Sequence, residues 1–214
     1  KRETRKDTMK GNDEKVRKVW IVRHGERIDE VDRTWTRRNL TIAHDPPLTS
    51  VGKVQAMKAA NFLRSLEGKV KFERVHVSPL VRALQTAERI SDAMDLPVRV
   101  NNGLGYFAAQ TALYELRNSK KPPFVQDVAK CCPLMKLDKD HDRKHRHPMD
   151  TLCDIVENTK DGHDTLIVAH RECIRDLMNP ELAAKTRLPY CSVALFTYKN
   201  RKSWKLVRIF KQVV

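Results

Sequence analysis

The chain has 214 residues, 40% of them hydrophobic, and a formal net charge of +15. This length is enough for one domain with a sizeable core, and no stretch approaches the ~20 apolar residues that span a bilayer. The charge predicts attraction to anions, whether phosphorylated ligands, nucleic acid or acidic membrane surfaces. The five cysteines include no Cys-x-x-Cys pair, so we expect reduced thiols in an intracellular, cytoplasmic protein.

Residues 1–15 are polar and aperiodic, which predicts a flexible basic lead-in or linker before a domain that spans 16–214. Because the chain opens on Lys1 rather than Met, we expect it to be part of a longer protein. Strands and helices then alternate. Apolar runs and breakers predict strands at 19–22, 72–77, 96–100, 165–168, 193–198 and 204–210, and helices at 50–66, 80–94, 149–158 and from about 172. The last two strands are expected to form a hairpin. This order predicts a three-layer α/β/α sandwich with a mostly parallel central sheet and an irregular insertion near 101–147.

Three strand-to-helix junctions carry unusual polar residues. Arg23-His24-Gly25-Glu26-Arg27 follows the first strand, Arg82 lies in the first turn after the second strand, and His170 ends the fourth. Ligands bind at such strand ends in open α/β sheets. Guanidiniums clamp phosphate oxygens, and a neutral imidazole can attack phosphorus. If these strands are neighbours, two histidines and three arginines form an anion pocket with its own nucleophile.

These motifs resemble the histidine phosphatase superfamily, also called the phosphoglycerate mutase-like family. The matching pieces, in the family's order, are Arg23-His24-Gly25, Pro47-Leu48-Thr49-x-x-Gly52 with Gln55-Ala56, Ser78-Pro79-x-x-Arg82-Ala83-x-Gln85-Thr86-Ala87, and Val168-Ala169-His170. The Arg-His-Gly-Glu-Arg motif and Leu188-Pro189-Tyr190-Cys191-Ser192 resemble a narrower branch. That branch contains the phosphatase domains of the T-cell ubiquitin ligand (suppressor of T-cell receptor signalling) proteins and the ecdysteroid-phosphate phosphatases.

The resemblance implies a phosphomonoester hydrolase that works through a phosphohistidine intermediate, with no cofactor and no metal. His24 would be the nucleophile, and Arg23, Arg27 and Arg82 would bind the phosphate oxygens. His170 would donate to the same oxygens. The implied partner is a phosphorylated substrate or ligand, and the branch resemblance is compatible with a homodimer.

The family pattern also implies a carboxylic acid shortly after the third strand, where this sequence has Tyr106. No Asp or Glu occurs between 100 and 114, and a tyrosine with a pKa of about 10 is a poor proton donor. Glu115 and Glu172 are the candidate substitute acids. Arg171, where the family favours small residues, would either strengthen or obstruct the anion site.

The missing acid leaves two hypotheses open, a weakened phosphatase and a pseudophosphatase. Phosphate binding is expected to be retained and turnover weakened, because general acid–base catalysis contributes about 10²–10⁴-fold. The alternative is a catalytically impaired pseudophosphatase that binds phosphorylated or acidic ligands or acts as a scaffold.

Three further sequence patterns are weaker indications of function. Basic and aromatic residues on the last two strands are compatible with nucleic-acid binding, but they fit better an edge hairpin protected by lysines. The run 136–147 holds three histidines near Cys131 and Cys132, yet its spacing matches no standard zinc site, so we expect a solvated basic loop. Asp45, directly before Pro46, is expected to form a turn rather than act as a catalytic acid.

Overall fold

The structure is a computed structural model that describes residues 15–39, 45–105, 128–138 and 147–211. The strands within these ranges are β1 (Arg17–Arg23), β2 (Phe72–Val77), β3 (Val98–Val100), β4 (Asp164–Ala169), β5 (Val193–Asn200) and β6 (Ser203–Phe210). The α-helices are α1 (Ile28–Val31), α2 (Trp35–Arg38), α3 (Ser50–Arg64), α4 (Val81–Met94), α5 (Val128–Cys131), α6 (Pro148–Glu157), α7 (Arg171–Arg175) and α8 (Pro180–Lys185). A 3₁₀ helix follows β3 over Asn102–Gly105.

The strands form one sheet in the order β3-β2-β4-β1-β5-β6. The first four run parallel, while β5 pairs antiparallel with both β1 and β6. The mostly parallel α/β fold expected from the sequence is thus confirmed, and the two final strands form the expected hairpin. Because β4 lies between β1 and β2, the carboxyl ends of these three strands are adjacent.

The two faces of the sheet bury different side chains, as alternation along a strand requires. Trp20 and Val22 of β1 belong to the apolar cluster that also contains residues of α3 and α4. Val19 and Ile21 belong to the opposite cluster, with residues of α6 and α7. Helices therefore cover both faces, which is the predicted three-layer arrangement.

The structure departs from the sequence expectation mainly between β1 and α3. Two four-residue helices, α1 and α2, lie in the connection between 22 and 50, where no helix was predicted. The helix after Pro47 begins as predicted, because Oγ1 of Thr49 accepts a hydrogen bond from the backbone N–H of Gly52. In the expected insertion, the described parts are the 3₁₀ helix, helix α5 and a bridge between Val98 and Leu137. The lead-in lies outside the described residues up to position 14.

The loop after β1 is pressed against the start of α3 through two glycines. A Cβ added at Gly25 would lie 2.5 Å from the carbonyl oxygen of Gly52, and one added at Gly52 would lie 2.3 Å from that of Glu26. Real Cβ atoms do not approach a backbone so closely. The absence of side chains at these two positions therefore allows the polar loop to sit on the helix.

We expect Gly52→Ala to destabilise the protein by about 1–3 kcal/mol through overpacking against Glu26. Helix propensity alone predicts the opposite sign, since Ala is favoured over Gly in a helix by about 1 kcal/mol. Urea unfolding measures the difference. Lys53→Ala, at the next and exposed position of α3, is the matched control and should change stability by less than about 0.5 kcal/mol. A stabilised Gly52→Ala protein would refute the close contact.

Candidate active site

Two histidines meet at the carboxyl edge of the sheet. His24 follows β1, and its backbone N–H donates to the carbonyl of Ala169 at the end of β4 over 3.1 Å. His170 follows β4, so the two rings lie with centroids 5.3 Å apart. Ser78, which follows β2, places its Oγ 2.8 Å from Nε2 of His170. The structure thus brings together His24 and His170. Ser78 belongs to a motif quoted from the sequence, but its contact with His170, 92 residues along the chain, could not be predicted.

The ring of His24 is fixed in one tautomer by its own backbone. Nδ1 lies 2.8 Å from the carbonyl oxygen of Gly25. A carbonyl oxygen can only accept, so Nδ1 carries the hydrogen and Nε2 keeps its lone pair. The residue is only 4% exposed. Burial and the nearby Arg82 hold the pKa of His24 well below its usual value, and Arg23 and Arg27 lower it further.

Arg82 is the most deeply buried of the three predicted phosphate-binding arginines, at 2% exposure in the first turn of α4. Its Nη1 lies 3.4 Å from Oδ1 of Asp45, and the same oxygen accepts from the backbone N–H of Val81 over 2.8 Å. Burial lowers the pKa of Arg82 to about 10 and raises that of Asp45 to about 6. The sequence assigned Asp45 only to a turn, and the structure adds an ion pair across 37 residues.

The other two arginines are held differently. Arg23 donates from Nη1 to the carbonyl of Leu188 over 2.6 Å, and its guanidinium carbon lies 3.9 Å from the ring centroid of Tyr190. Arg27 is clasped by Asp29 through bonds of 2.9 Å and 2.5 Å. Although burial lowers it, the pKa of Arg27 is raised overall by this carboxylate. Nε and Nη2 of the Arg27 guanidinium therefore already donate to the carboxylate of Asp29.

The remaining motif residues act as a scaffold for the loop after β1. Oε1 of Gln55 accepts from the backbone N–H of Glu26 over 2.9 Å. Oγ1 of Thr86 accepts from the N–H of Gly25 over 3.1 Å and donates to the carbonyl of Arg82 over 2.8 Å. These bonds tie the first junction to both α3 and α4, and so they position His24 relative to Arg82.

Of the two candidate acids, only Glu172 lies within the described residues. Glu172 accepts from Nε and Nη2 of Arg171 over 3.1 Å and 3.0 Å, and both side chains are over 40% exposed. Glu115 and Tyr106 lie outside the described residues. Glu172 is therefore engaged by a neighbouring cation, and Arg171 lines a cavity that it shares with Arg23.

The aromatic rings of the basic hairpin pack inward. Tyr198 is 2% exposed and lies 4.8 Å from Trp204, centroid to centroid. Phe210 stacks on Trp20 at 5.9 Å. Rings used in this way are not free to stack on bases, which disfavours the nucleic-acid interpretation. The basic side chains of the same segment include Arg201, Lys202, Lys205, Arg208 and Lys211.

The described residues contain no group of three or more His, Cys, Asp or Glu placed to hold a metal ion. His147 caps α6 by accepting from the N–H of Met149, whereas His141 and His145 lie outside the described ranges. None of the helices in the described ranges is long and apolar enough to cross a membrane. All five cysteines are free thiols.

The fold and the site together define an α/β protein with a buried histidine pair and a guanidinium cluster at the carboxyl edge of its sheet. The family model described as histidine phosphatase superfamily (branch 1) matches residues 19–110, which include His24 and Arg82. Over this part of the chain the protein is therefore similar to the histidine phosphatase superfamily.

Individual relatives agree with this assignment. The ecdysteroid-phosphate phosphatase of Drosophila melanogaster is 25% identical over 248 residues, covering 90% of this chain and 32% of that protein. The phosphohistidine phosphatase SixA of Escherichia coli is 37% identical over 79 residues, covering 37% of this chain and 42% of that protein. The mouse ubiquitin-associated and SH3 domain-containing protein A is 30% identical over 118 residues, covering 41% and 19%. The chain thus spans less than half the length of each of these relatives.

Solved structures share the fold. The ecdysone phosphate phosphatase of Bombix mori, in complex with tungstate, has a TM-score of 0.59 at 19% identity, covering 90% of this chain and 92% of that one. A mycobacterial glucosyl-3-phosphoglycerate phosphatase has a TM-score of 0.55 at 19% identity, covering 90% and 98%.

Buried neutral histidines should make the protein sensitive to acid. Burial also lowers the pKa of His76, to about 4, and His24 and His170 shift in the same direction. As pH falls below about 6.5, these histidines become protonated in the unfolded chain but stay neutral in the native state. The free energy of unfolding therefore decreases by up to ~1.4 kcal/mol per pH unit for each histidine.

We therefore expect His76→Gln to make the free energy of unfolding less dependent on pH, by up to ~1.4 kcal/mol per pH unit below pH 6.5. Urea unfolding between pH 7.5 and 5 measures this difference. His76 is the suitable position because it lies in β2, outside the cluster around His24. An unchanged slope in the variant would contradict a neutral, buried His76.

Proposed function

We propose that the chain hydrolyses phosphomonoesters through a phosphohistidine formed on His24. The observation that carries this proposal is the hydrogen bond from Nδ1 of His24 to the carbonyl of Gly25, which places the hydrogen of the neutral ring on Nδ1 and so leaves the lone pair on Nε2. A nucleophile for phosphorus needs that lone pair. Burial and the surrounding positive charge hold the pKa of His24 low and so keep the ring neutral, and the positive charge also attracts the substrate.

The chemical steps follow from this arrangement. The phosphate oxygens of the substrate lie among Arg23, Arg82 and His170, while Nε2 of His24 attacks phosphorus. The P–N bond forms and the ester P–O bond breaks, so that its electron pair leaves on the alcohol oxygen, which takes up a proton from solvent. Water then attacks phosphorus and breaks the P–N bond, which releases inorganic phosphate, returns one proton to solvent and restores neutral His24. Because phosphoryl transfer depends mainly on positioning and charge stabilisation, the arginines supply most of the catalysis.

Proton delivery to the leaving group is the weak part of this site. No carboxylate occurs between 100 and 114 in the sequence, and Glu172 is bound by Arg171. Aryl phosphates leave as weakly basic phenolates and need little protonation, whereas alkyl phosphates need much more. We therefore propose a phosphatase with a strong preference for good leaving groups.

The same missing acid supports a second candidate, a pseudophosphatase that binds phosphorylated or acidic ligands, or acts as a scaffold, without turnover. The anion pocket would then be a recognition site. We also propose, from the five free thiols, an intracellular and cytoplasmic location, and from the resemblance of the branch, a homodimer.

Turnover of p-nitrophenyl phosphate separates the two candidates. We expect hydrolysis that His24→Ala reduces by at least about 10³-fold, as loss of a covalent nucleophile does. His163→Ala is the matched control, because His163 precedes β4 at the opposite end of that strand, and it should retain full activity. Absence of turnover, with vanadate still raising the melting temperature, would refute the hydrolase and support the binding protein.

The leaving-group preference is a separate test. We expect kcat/KM for p-nitrophenyl phosphate to exceed that for an alkyl phosphate such as glycerol 2-phosphate by about 10²-fold or more, since the acid's contribution is missing. Equal values would show that a general acid operates. Loss of alkyl-phosphate turnover in Glu172→Gln would then identify this acid as Glu172.

A further inference from the structure

A cavity of about 320 Å³ opens beside the guanidinium of Arg23. Besides Arg23 at the end of β1, its walls come from three parts of the chain: Arg171 and Arg175 on α7, the segment Arg187–Tyr190 before β5, and Gln55 on α3. Four of the lining residues are arginines, and none is an acid. The site already described uses Arg23 alone among these four.

The positive charge of this cavity is only partly compensated. Glu172 binds Arg171. Among the described residues, neither Arg175 nor Arg187 has an ion-pair partner, and the Nε atoms of Arg23 and Arg175 are buried without a hydrogen-bond partner. A buried donor without a partner costs free energy. Arginines gathered around a cavity also repel one another, and Arg171 contributes to lowering the pKa of Arg23. A bound anion would relieve both penalties.

Arg23 connects the cavity to His24. Its bond to the carbonyl of Leu188 and its stacking on Tyr190 place the guanidinium against the cavity wall, while its charge reaches His24. The ring of Tyr190 also lies 5.8 Å from that of His24, centroid to centroid. Arg23 and Tyr190 therefore belong both to the surroundings of His24 and to the lining of the cavity.

We propose that this cavity is a second anion subsite, and that the substrate is a small phosphomonoester carrying a second phosphate group. The inference rests on the proposed function for the role of the first phosphate. A dianionic phosphate matches several guanidinium forks, which bind its oxygens in pairs. The volume lies at the lower end of small-ligand pockets, which favours a small carrier, such as a sugar, between the two phosphates.

The test compares ligands that differ by one phosphate. Fructose 1,6-bisphosphate and fructose 6-phosphate are titrated against the chain by calorimetry, and inorganic pyrophosphate against inorganic phosphate. In each pair we expect the ligand with two phosphates to bind at least about 10-fold more tightly, the advantage of one well-formed charged contact. Arg175→Ala/Arg187→Ala should remove this advantage and leave affinity for the single phosphate unchanged.

Lys202→Ala/Lys205→Ala, which removes the same charge from exposed positions on the hairpin, is the matched control and should keep the advantage. Arg187→Ala alone, at an exposed position, should halve the advantage or more, so the result does not depend on a variant that fails to fold.

Equal affinity within both pairs in the wild-type chain would overturn the subsite, and so would an advantage that survives in the double arginine variant or is lost equally in the lysine control. Tighter binding of a phosphotyrosine peptide than of the bisphosphate would point instead to a protein substrate and also overturn it. Because these are binding measurements, they stand apart from catalysis: a chain inactive on p-nitrophenyl phosphate but selective for two phosphates refutes the hydrolase and keeps the subsite.

Discussion

The hydrogen bond between Nδ1 of His24 and the carbonyl of Gly25 is the constraint on which the site depends. It fixes which ring nitrogen is free, and it works only if that carbonyl is itself fixed. Gly25 is fixed from two sides, by Thr86 of α4 and by the backbone of Gly52 at the start of α3. The motif residues far from the chemistry therefore matter because Thr86 and Gln55 hold the two peptide groups on either side of Gly25 in place.

Charge is the second constraint, and it follows from the sheet order. Placing β4 between β1 and β2 gathers His24, His170 and Arg82 within one buried region. Burial first, and then the neighbouring cations, disfavour protonation of the two histidines by lowering the pKa of each. Nε of Arg82 is buried there without a hydrogen-bond partner among the described residues. Under the proposed function, the phosphate of the substrate would supply negative charge and hydrogen-bond acceptors to these groups.

Much of this arrangement could be predicted from the sequence, because it depends on local signals. Apolar runs ending in polar residues located the strand ends, and the spacing from Ser78 to Thr86 placed Arg82 in the first turn of a helix. The ion pair of Asp45 with Arg82, the bond of Ser78 to His170 and the stacking of Arg23 on Tyr190 could not be predicted. Each joins residues distant in sequence through side-chain directions that only the packed fold determines. The short helices α1 and α2 were missed because four-residue helices carry too little periodicity to detect.

The two ring nitrogens of His24 can be distinguished directly by ¹⁵N nuclear magnetic resonance of the imidazole. At neutral pH we expect a neutral ring with hydrogen on Nδ1, and phosphorylation on Nε2 when an aryl phosphate is added and the sample is quenched in alkali. A charged ring, hydrogen on Nε2, or phosphate attached to Nδ1 would contradict this expectation.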